Sequence, residues 1–257
     1  MLALLIDEFN CNHQADLDDA VGRVEIYSRE REQKDIRTFI QENMTQKRSA
    51  LMYICGHPGT GKTSTLNYVL SGFMSGDIRA KLLSRMEVHL YNAMTFSDVK
   101  SFSVQLLEDL ALKYAGKTYA EYDKAWKGGL KKRDIDDDEI ANLVAKILAA
   151  FSGQTKVLVI DEIDAFEAYE NAFRTLTKAV LTSKSNTIII GIANSVDLPF
   201  KKKHSAIAMR DKQILFEPYS EEQIISIMEQ KINMKFGRFP MKLKAGPMKS
   251  IFFNLLD

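Results

Sequence analysis

Apolar residues along this chain alternate between short unbroken runs and longer stretches of helical period. The runs ALMYIC (Ala50 to Cys55), VLVI (Val157 to Ile160) and the core of NTIIIGIAN (Asn186 to Asn194) lack polar interruptions and read as strands buried on both faces. RMEVHLYN (Arg85 to Asn92) alternates like a strand, and KQILFEPY (Lys212 to Tyr219) reads as the last one. Between them lie predicted helices. SREREQKDIRTFIQENM (Ser28 to Met44) carries Ile36, Phe39 and Ile40 at helical spacing, with Ser28 as its candidate cap. A second helix starts at Lys62, FSDVKSFSVQLLEDLALKY (Phe96 to Tyr114) reads as an amphipathic helix capped by Ser97, and EIANLVAKILAAF (Glu139 to Phe151) follows. DEIDAFEAYENAF is helical from Asp164, and SEEQIISIMEQKI (Ser220 to Ile232) opens with Ser220 and Gln223 at capping-box positions. This order of elements places the chain in the α/β class.

Composition narrows the picture modestly. At 257 residues and 46% hydrophobic, the chain is long enough for one α/β domain and part of a second. Lys and Arg number 35 against 34 Asp and Glu, so net charge neither demands nor excludes nucleic acid, and any DNA contact must come from a local patch. Cys11 and Cys55 are the only cysteines, and Cys55 ends a predicted buried strand, which points to a reducing compartment without a disulfide framework. The opening MLALLI is too short to span a bilayer, and no secretory signal is seen, so an intracellular protein is expected. The stretch from Gly116 to Glu139 contains KGGLKKRDIDDDE, a basic-to-acidic switch that reads as a solvated surface loop. Trp126 lies in it without an assignable role, and there is no internal repeat.

The candidate chemistry sits at strand ends. GHPGTGKT (Gly56 to Thr63) fits G-x-x-x-x-G-K-[ST] between an apolar strand and a helix start. Gly56, Gly59 and Gly61 permit backbone turns that point successive N–H groups inward, and the new helix adds its positive end, so the loop forms an anion nest for phosphate. Lys62 is expected to reach the β and γ phosphates and Thr63 to ligate magnesium. The remaining loop positions, His57, Pro58, Thr60 and Ser64, complete the cradle, with His57 a solvent-facing filler. The alternative is a glycine-rich turn that binds nothing. About a hundred residues on, VLVIDEID (Val157 to Asp164) puts Asp161 and Glu162 at the carboxyl end of a strand, where ligands of α/β sheets bind. Asp161 is a hard oxygen ligand for magnesium, and Glu162 is placed to orient and deprotonate water. Asn194, closing another strand, is a candidate contact to the γ phosphate or the lytic water, or simply a turn residue before SVDLP.

The set GHPGTGKT, VLVIDEID, GIANSVDLP and FEPYSEEQIISIM resembles the initiator branch of the AAA+ ATPases, the group of origin recognition complex subunit 1 and cell division control protein 6. SVDLP after Asn194 is similar to that family's sensor 1 segment, and FEPYS-x-x-Q to its turn into the lid domain, which adds Tyr219 to the nucleotide-binding set. YSREREQKDIRTFI resembles the family's GRE-containing helix near the adenine, with Ser28 where Gly is usual. HLYNAMTFSDVKSFSVQLLEDL resembles the strand and helix that face DNA. The resemblance covers roughly residues 24 to 235 and implies a five-stranded parallel AAA+ P-loop sheet flanked by helices, ATP with magnesium, and helicase loading at origins. It also implies a nuclear protein whose partners are origin DNA, other initiator AAA+ subunits and the replicative helicase, with no membrane role. By position it carries over Lys62 and Thr63 to phosphate and metal, Asp161 to metal, Glu162 as base and Asn194 as sensor.

The implied organisation is an arm over residues 1 to 27, a nucleotide-binding domain over 28 to 219, and the start of a helical lid over 220 to 257. After Arg238 there is no Arg to serve as sensor 2, and no winged helix follows, so a truncated or divergent member is expected. Arg210 is the only Arg between Arg174 and Arg238, hence the candidate finger for a neighbouring subunit's ATP, or a plain surface residue. Lys201 to Lys203 read as a solvated face rather than a phosphate contact. Two competing functions remain: a subunit that holds ATP structurally with little turnover, and another AAA+ machine such as a clamp-loader subunit or an unfoldase. The finger motif of the former and the pore loop of the latter are not found.

Overall fold

The computed structural model describes residues 28–75, 86–115, 137–151, 153–165, 169–194 and 211–236. Five parallel strands form one sheet: β1 (Ala50–Gly56), β2 (Met86–Asn92), β3 (Thr155–Asp161), β4 (Thr187–Ala193) and β5 (Asp211–Phe216), in the order β2-β3-β4-β1-β5. The helices are α1 (Glu30–Thr45), α2 (Lys62–Ser75), α3 (Val99–Leu110), α4 (Asp137–Ala150), α5 (Tyr169–Thr182) and α6 (Glu221–Phe236). The five-stranded parallel sheet implied by the resemblance is thus present.

The unbroken apolar runs have a direct cause, because each central strand is covered on both faces. Leu51, Tyr53, Cys55, Leu158, Ile160 and Ile189 pack with α3, α4 and α5 on one side. Met52, Ile54, Val157, Val159, Ile190 and Ile192 pack with α1 and α2 on the other. Gly191 in mid-β4 lets α5 approach closely: a Cβ there would come within 2.9 Å of the Phe173 ring. Among the described residues, no helix is long and apolar enough to cross a membrane.

Two predicted helix caps differ in the structure. Ser28 does not cap α1; it takes a left-handed backbone (φ +62°), and Arg29 occupies the cap position without a side-chain cap bond. Asp98, not Ser97, caps α3, because its carboxylate accepts the Ser101 N–H at 2.7 Å while Ser101 Oγ takes the Asp98 N–H. The carboxylate is the stronger acceptor, and Ser97 Oγ donates to it at 3.1 Å. At α6 the expected box forms, with the Ser220 N–H on Gln223 Oε1 at 2.9 Å and the Gln223 N–H on Ser220 Oγ at 3.3 Å.

Strand β5 ends at Phe216, so Glu217 to Tyr219 form a linker instead of more strand. The helix expected from Asp164 starts later: Ile163–Ala165 is a short 3-10 turn, and α5 begins at Tyr169. The expected charged loop falls mostly at 116–136, and the arm and the tail after Phe236 likewise lie outside the described residues.

Some buried polar groups tie elements together. Lys156, in β3 at 1% exposure, donates from Nζ to the carbonyls of Leu148 (3.3 Å), Phe151 and Gln154 (3.5 Å), securing the carboxyl end of α4. A π-helical turn (Ala111–Ala115) after α3 sets Lys113 and Tyr114 onto Glu87 of edge strand β2.

Candidate functional site

Parallel strands deliver their carboxyl ends to one edge of the sheet, and every described candidate side chain converges there. Register accounts for the meeting. Cys55 of β1 sits opposite Ala193 of β4, so the phosphate loop begins level with Asn194, while Ile160 of β3 pairs with Gly191.

At the end of β1 the chain turns at Gly56, where a side chain would run into the Phe216 carbonyl of β5. Gly61, at φ +85°, meets a second limit: a Cβ would lie 2.5 Å from the Tyr219 hydroxyl. The loop between them is closed by Thr60, whose hydroxyl donates to the His57 carbonyl at 2.8 Å. His57, Pro58, Gly59 and Ser64 are exposed, as expected for His57, while Thr60 and Lys62 are buried. Helix α2 starts at Lys62, so its unpaired N–H groups face the loop.

Charged groups then interlock across three strands. Lys62 Nζ donates to the Gly56 carbonyl (2.8 Å), the His57 carbonyl (3.0 Å) and Asn194 Oδ1 (2.9 Å). Asn194 Nδ2 donates to Glu162 Oε2 at 2.6 Å, so one amide bridges the lysine to the glutamate. Thr63 Oγ1 donates to Asp161 Oδ2 at 2.8 Å, and Asp161 Oδ1 accepts the Glu162 N–H at 2.9 Å. Glu162 itself is left-handed (φ +52°), a conformation uncommon for a non-glycine residue that often accompanies functional positions.

Electrostatics follow from crowding three carboxylates around one ammonium. Burial, then the charges of Asp161 and Asp164, push the Glu162 carboxyl above the usual carboxylate range, against the Asn194 bond. Burial also raises Asp161, opposed by its bonds from Thr63 and the Glu162 N–H and by nearby Lys62. Burial lowers Lys62, with Glu162 and Asp161 holding its proton on. A hydroxyl and a carboxylate in hydrogen-bond contact within an acidic cluster are hard oxygen donors, a set that fits magnesium. The positive-φ glycines and the helix start fit a phosphate chain.

Two residues emerged that the sequence reading did not assign. Asp164 accepts the Asn194 N–H at 2.9 Å and so fixes the end of β4; it was visible as the last residue of VLVIDEID, but nothing local named its partner. Arg29, 3% exposed, reaches the phosphate loop through the Thr60 carbonyl, and its one signal was its place in the SRE string. Tyr219 lies in the linker beside Gly61. Arg210 lies outside the described residues.

Comparison with known proteins agrees with this geometry. The AAA domain family matches residues 17–200. The human cell division control protein 6 homolog is 26% identical over 210 residues, covering 80% of this chain and 33% of that protein. Origin recognition complex subunit 1 of Cricetulus griseus is 26% identical over 209 residues, covering 79% of this chain and 22% of that protein. The chain thus spans a third or less of the length of these two relatives. Among solved structures, a chain of the Drosophila ORC bound to DNA superposes with a TM-score of 0.58 at 23% identity, covering 81% of this chain and 46% of that one, which shows a shared fold. On the family match over most of its length, the chain belongs to the AAA domain family, and its kinship there is with initiator-type AAA+ proteins.

Proposed function

We propose that this chain binds ATP with magnesium at the phosphate loop and hydrolyses it, as a nucleotide-controlled replication initiator that helps recognise origins and load the replicative helicase. The observation that carries the reading is the Asn194 amide, which joins the phosphate-loop lysine to the acidic strand end. Loop N–H groups from Gly56 to Ser64 cradle the phosphates, and Lys62 exchanges its carbonyl partners for phosphate oxygens. Thr63 and Asp161 are the residues that would hold magnesium, which supplies charge neutralisation over the phosphate oxygens when bound. Glu162 accepts the proton of the attacking water, and its raised proton affinity suits that task. Asn194 orients the water or the terminal phosphate.

The domain assignment goes with this reading: an arm over 1–27, the nucleotide-binding domain over 28–219 and the lid from 220 to 257. Partners are origin DNA, neighbouring initiator subunits, one of which would receive Arg210 as its finger, and the helicase. The compartment is the nucleus, by analogy with eukaryotic relatives. Equilibrium titration with ATP and magnesium tests the site: Lys62→Ala should abolish binding while circular dichroism shows the fold intact. Near-wild-type affinity in that variant would remove the phosphate-loop reading.

A second reading is favoured by the engagement of Glu162 with Asn194 at 2.6 Å, which occupies the proposed base. In it, ATP is held as a structural ligand with little turnover. Single-turnover assays with and without partner subunits separate the two, since only the first gains rate when a neighbour supplies an arginine, an effect worth on the order of a thousandfold.

A further inference from the structure

Arg29 stands outside the roles assigned so far, yet it is among the most heavily engaged side chains at the site. Ser28 turns the chain through a left-handed conformation, and this leaves Arg29 at the start of α1 with its guanidinium aimed beneath the phosphate loop. Its Nε donates to the Thr60 carbonyl at 3.1 Å, its Nη2 to the Glu217 carbonyl at 2.6 Å and its Nη1 to Glu32 Oε1 at 3.0 Å. The same plane lies 3.9 Å over the centre of the Tyr219 ring and 5.3 Å from that of Phe216. The Tyr219 hydroxyl in turn abuts Gly61. One planar cation therefore grips the phosphate loop on one side and the linker into α6 on the other.

We infer that Arg29 is a positioning residue that couples nucleotide in the phosphate loop to the placement of the lid helix α6. The inference rests on the ATP-binding reading above and adds how that site is read out. The physical argument is one of shared partners. Thr60 precedes the loop glycine and lysine directly, while Glu217 and Tyr219 lie within four residues of the α6 start at Glu221. Both segments can satisfy the buried guanidinium only in one relative arrangement, because its donors have fixed directions and its face needs the ring. Leaving either bond unmade strands part of a buried charge, so ordering one segment favours order in the other. Lysine in its place keeps the charge but cannot span both carbonyls while stacking on Tyr219.

The test is amide hydrogen exchange by mass spectrometry on the full chain, with and without magnesium ATP, in wild type, Arg29→Lys and Tyr219→Leu. In wild type, ATP should slow exchange in both the phosphate loop (56–63) and α6 (221–236). In both variants the loop should still be protected, with ATP affinity weakened about fivefold or more, and ATP-dependent protection of α6 should be lost. If α6 remains ATP-protected in the variants, or if they lose thermal stability alone with loop and lid protection unchanged, Arg29 is merely structural and the coupling is refuted. If Arg29→Lys fails to fold, Tyr219→Leu decides by the same criteria. Absence of loop protection in wild type would instead overturn the ATP-binding reading itself, and this inference with it.

Discussion

Replacing Asn194 by Ala removes a side chain that holds both the phosphate-loop lysine and the acidic strand end. Its two bonds, at 2.9 Å to Lys62 and 2.6 Å to Glu162, each involve a charged partner. Hydrogen bonds to charged groups contribute about 1.5–3 kcal/mol apiece, and more is lost when the charged partner is left buried and unpaired. Neither partner is left so. Lys62 keeps the Gly56 and His57 carbonyls, and Glu162 is only half-buried, so water can replace the amide. The expected loss is therefore about 1–2 kcal/mol rather than the full sum.

The loss should also depend on pH. The folded state raises Glu162 above its ordinary value through burial, Asp161 and Asp164, while the Asn194 bond holds it down. A carboxyl raised in the folded state contributes stability below its unfolded range, and that contribution is lost as pH rises through the folded value. Removing Asn194 raises Glu162 further, so the variant's deficit should be largest near neutral pH and shrink as pH falls and Glu162 takes up its proton in both proteins. Urea unfolding at pH 4 and pH 7, without nucleotide, measures this. A deficit below about 0.5 kcal/mol at neutral pH, or an equal deficit at both pH values, would refute the bridge.

Glu162→Gln keeps an acceptor for Asn194 but cannot take a proton, so ATP should bind and turnover should fall by about a hundredfold or more. Affinity lost as severely as in Asp161→Ala would show that Glu162 serves binding. Ser28→Gly relieves a left-handed serine, offset partly by glycine's greater freedom when unfolded, and should stabilise the chain by roughly 0.5 kcal/mol. A lower thermal midpoint in that variant would contradict the turn that aims Arg29.

The sequence alone determined the parts of this protein whose chemistry is local. GHPGTGKT carries its conformation in its glycines and sets a lysine and a threonine at the helix start beside them, so eight contiguous residues were enough to propose a phosphate nest. VLVIDEID does the same for a buried strand with acids at its end, because burial on both faces removes polar residues from the strand itself. Helix α6 was legible for the same reason, its cap lying three residues from its partner. The tertiary structure decided what depends on distant partners. Asn194 could be a turn residue or a site residue until parallel pairing set it between Lys62 and Glu162, 132 and 32 residues away. Arg29 had only its place in the SRE string to mark it, and its partner at Glu217 is 188 residues off. Asp98 displaced Ser97 as a cap because a carboxylate outcompetes a hydroxyl for the same N–H, a choice of one residue that pattern cannot make. Pattern records which residues avoid water; only the fold decides which polar groups find each other inside it.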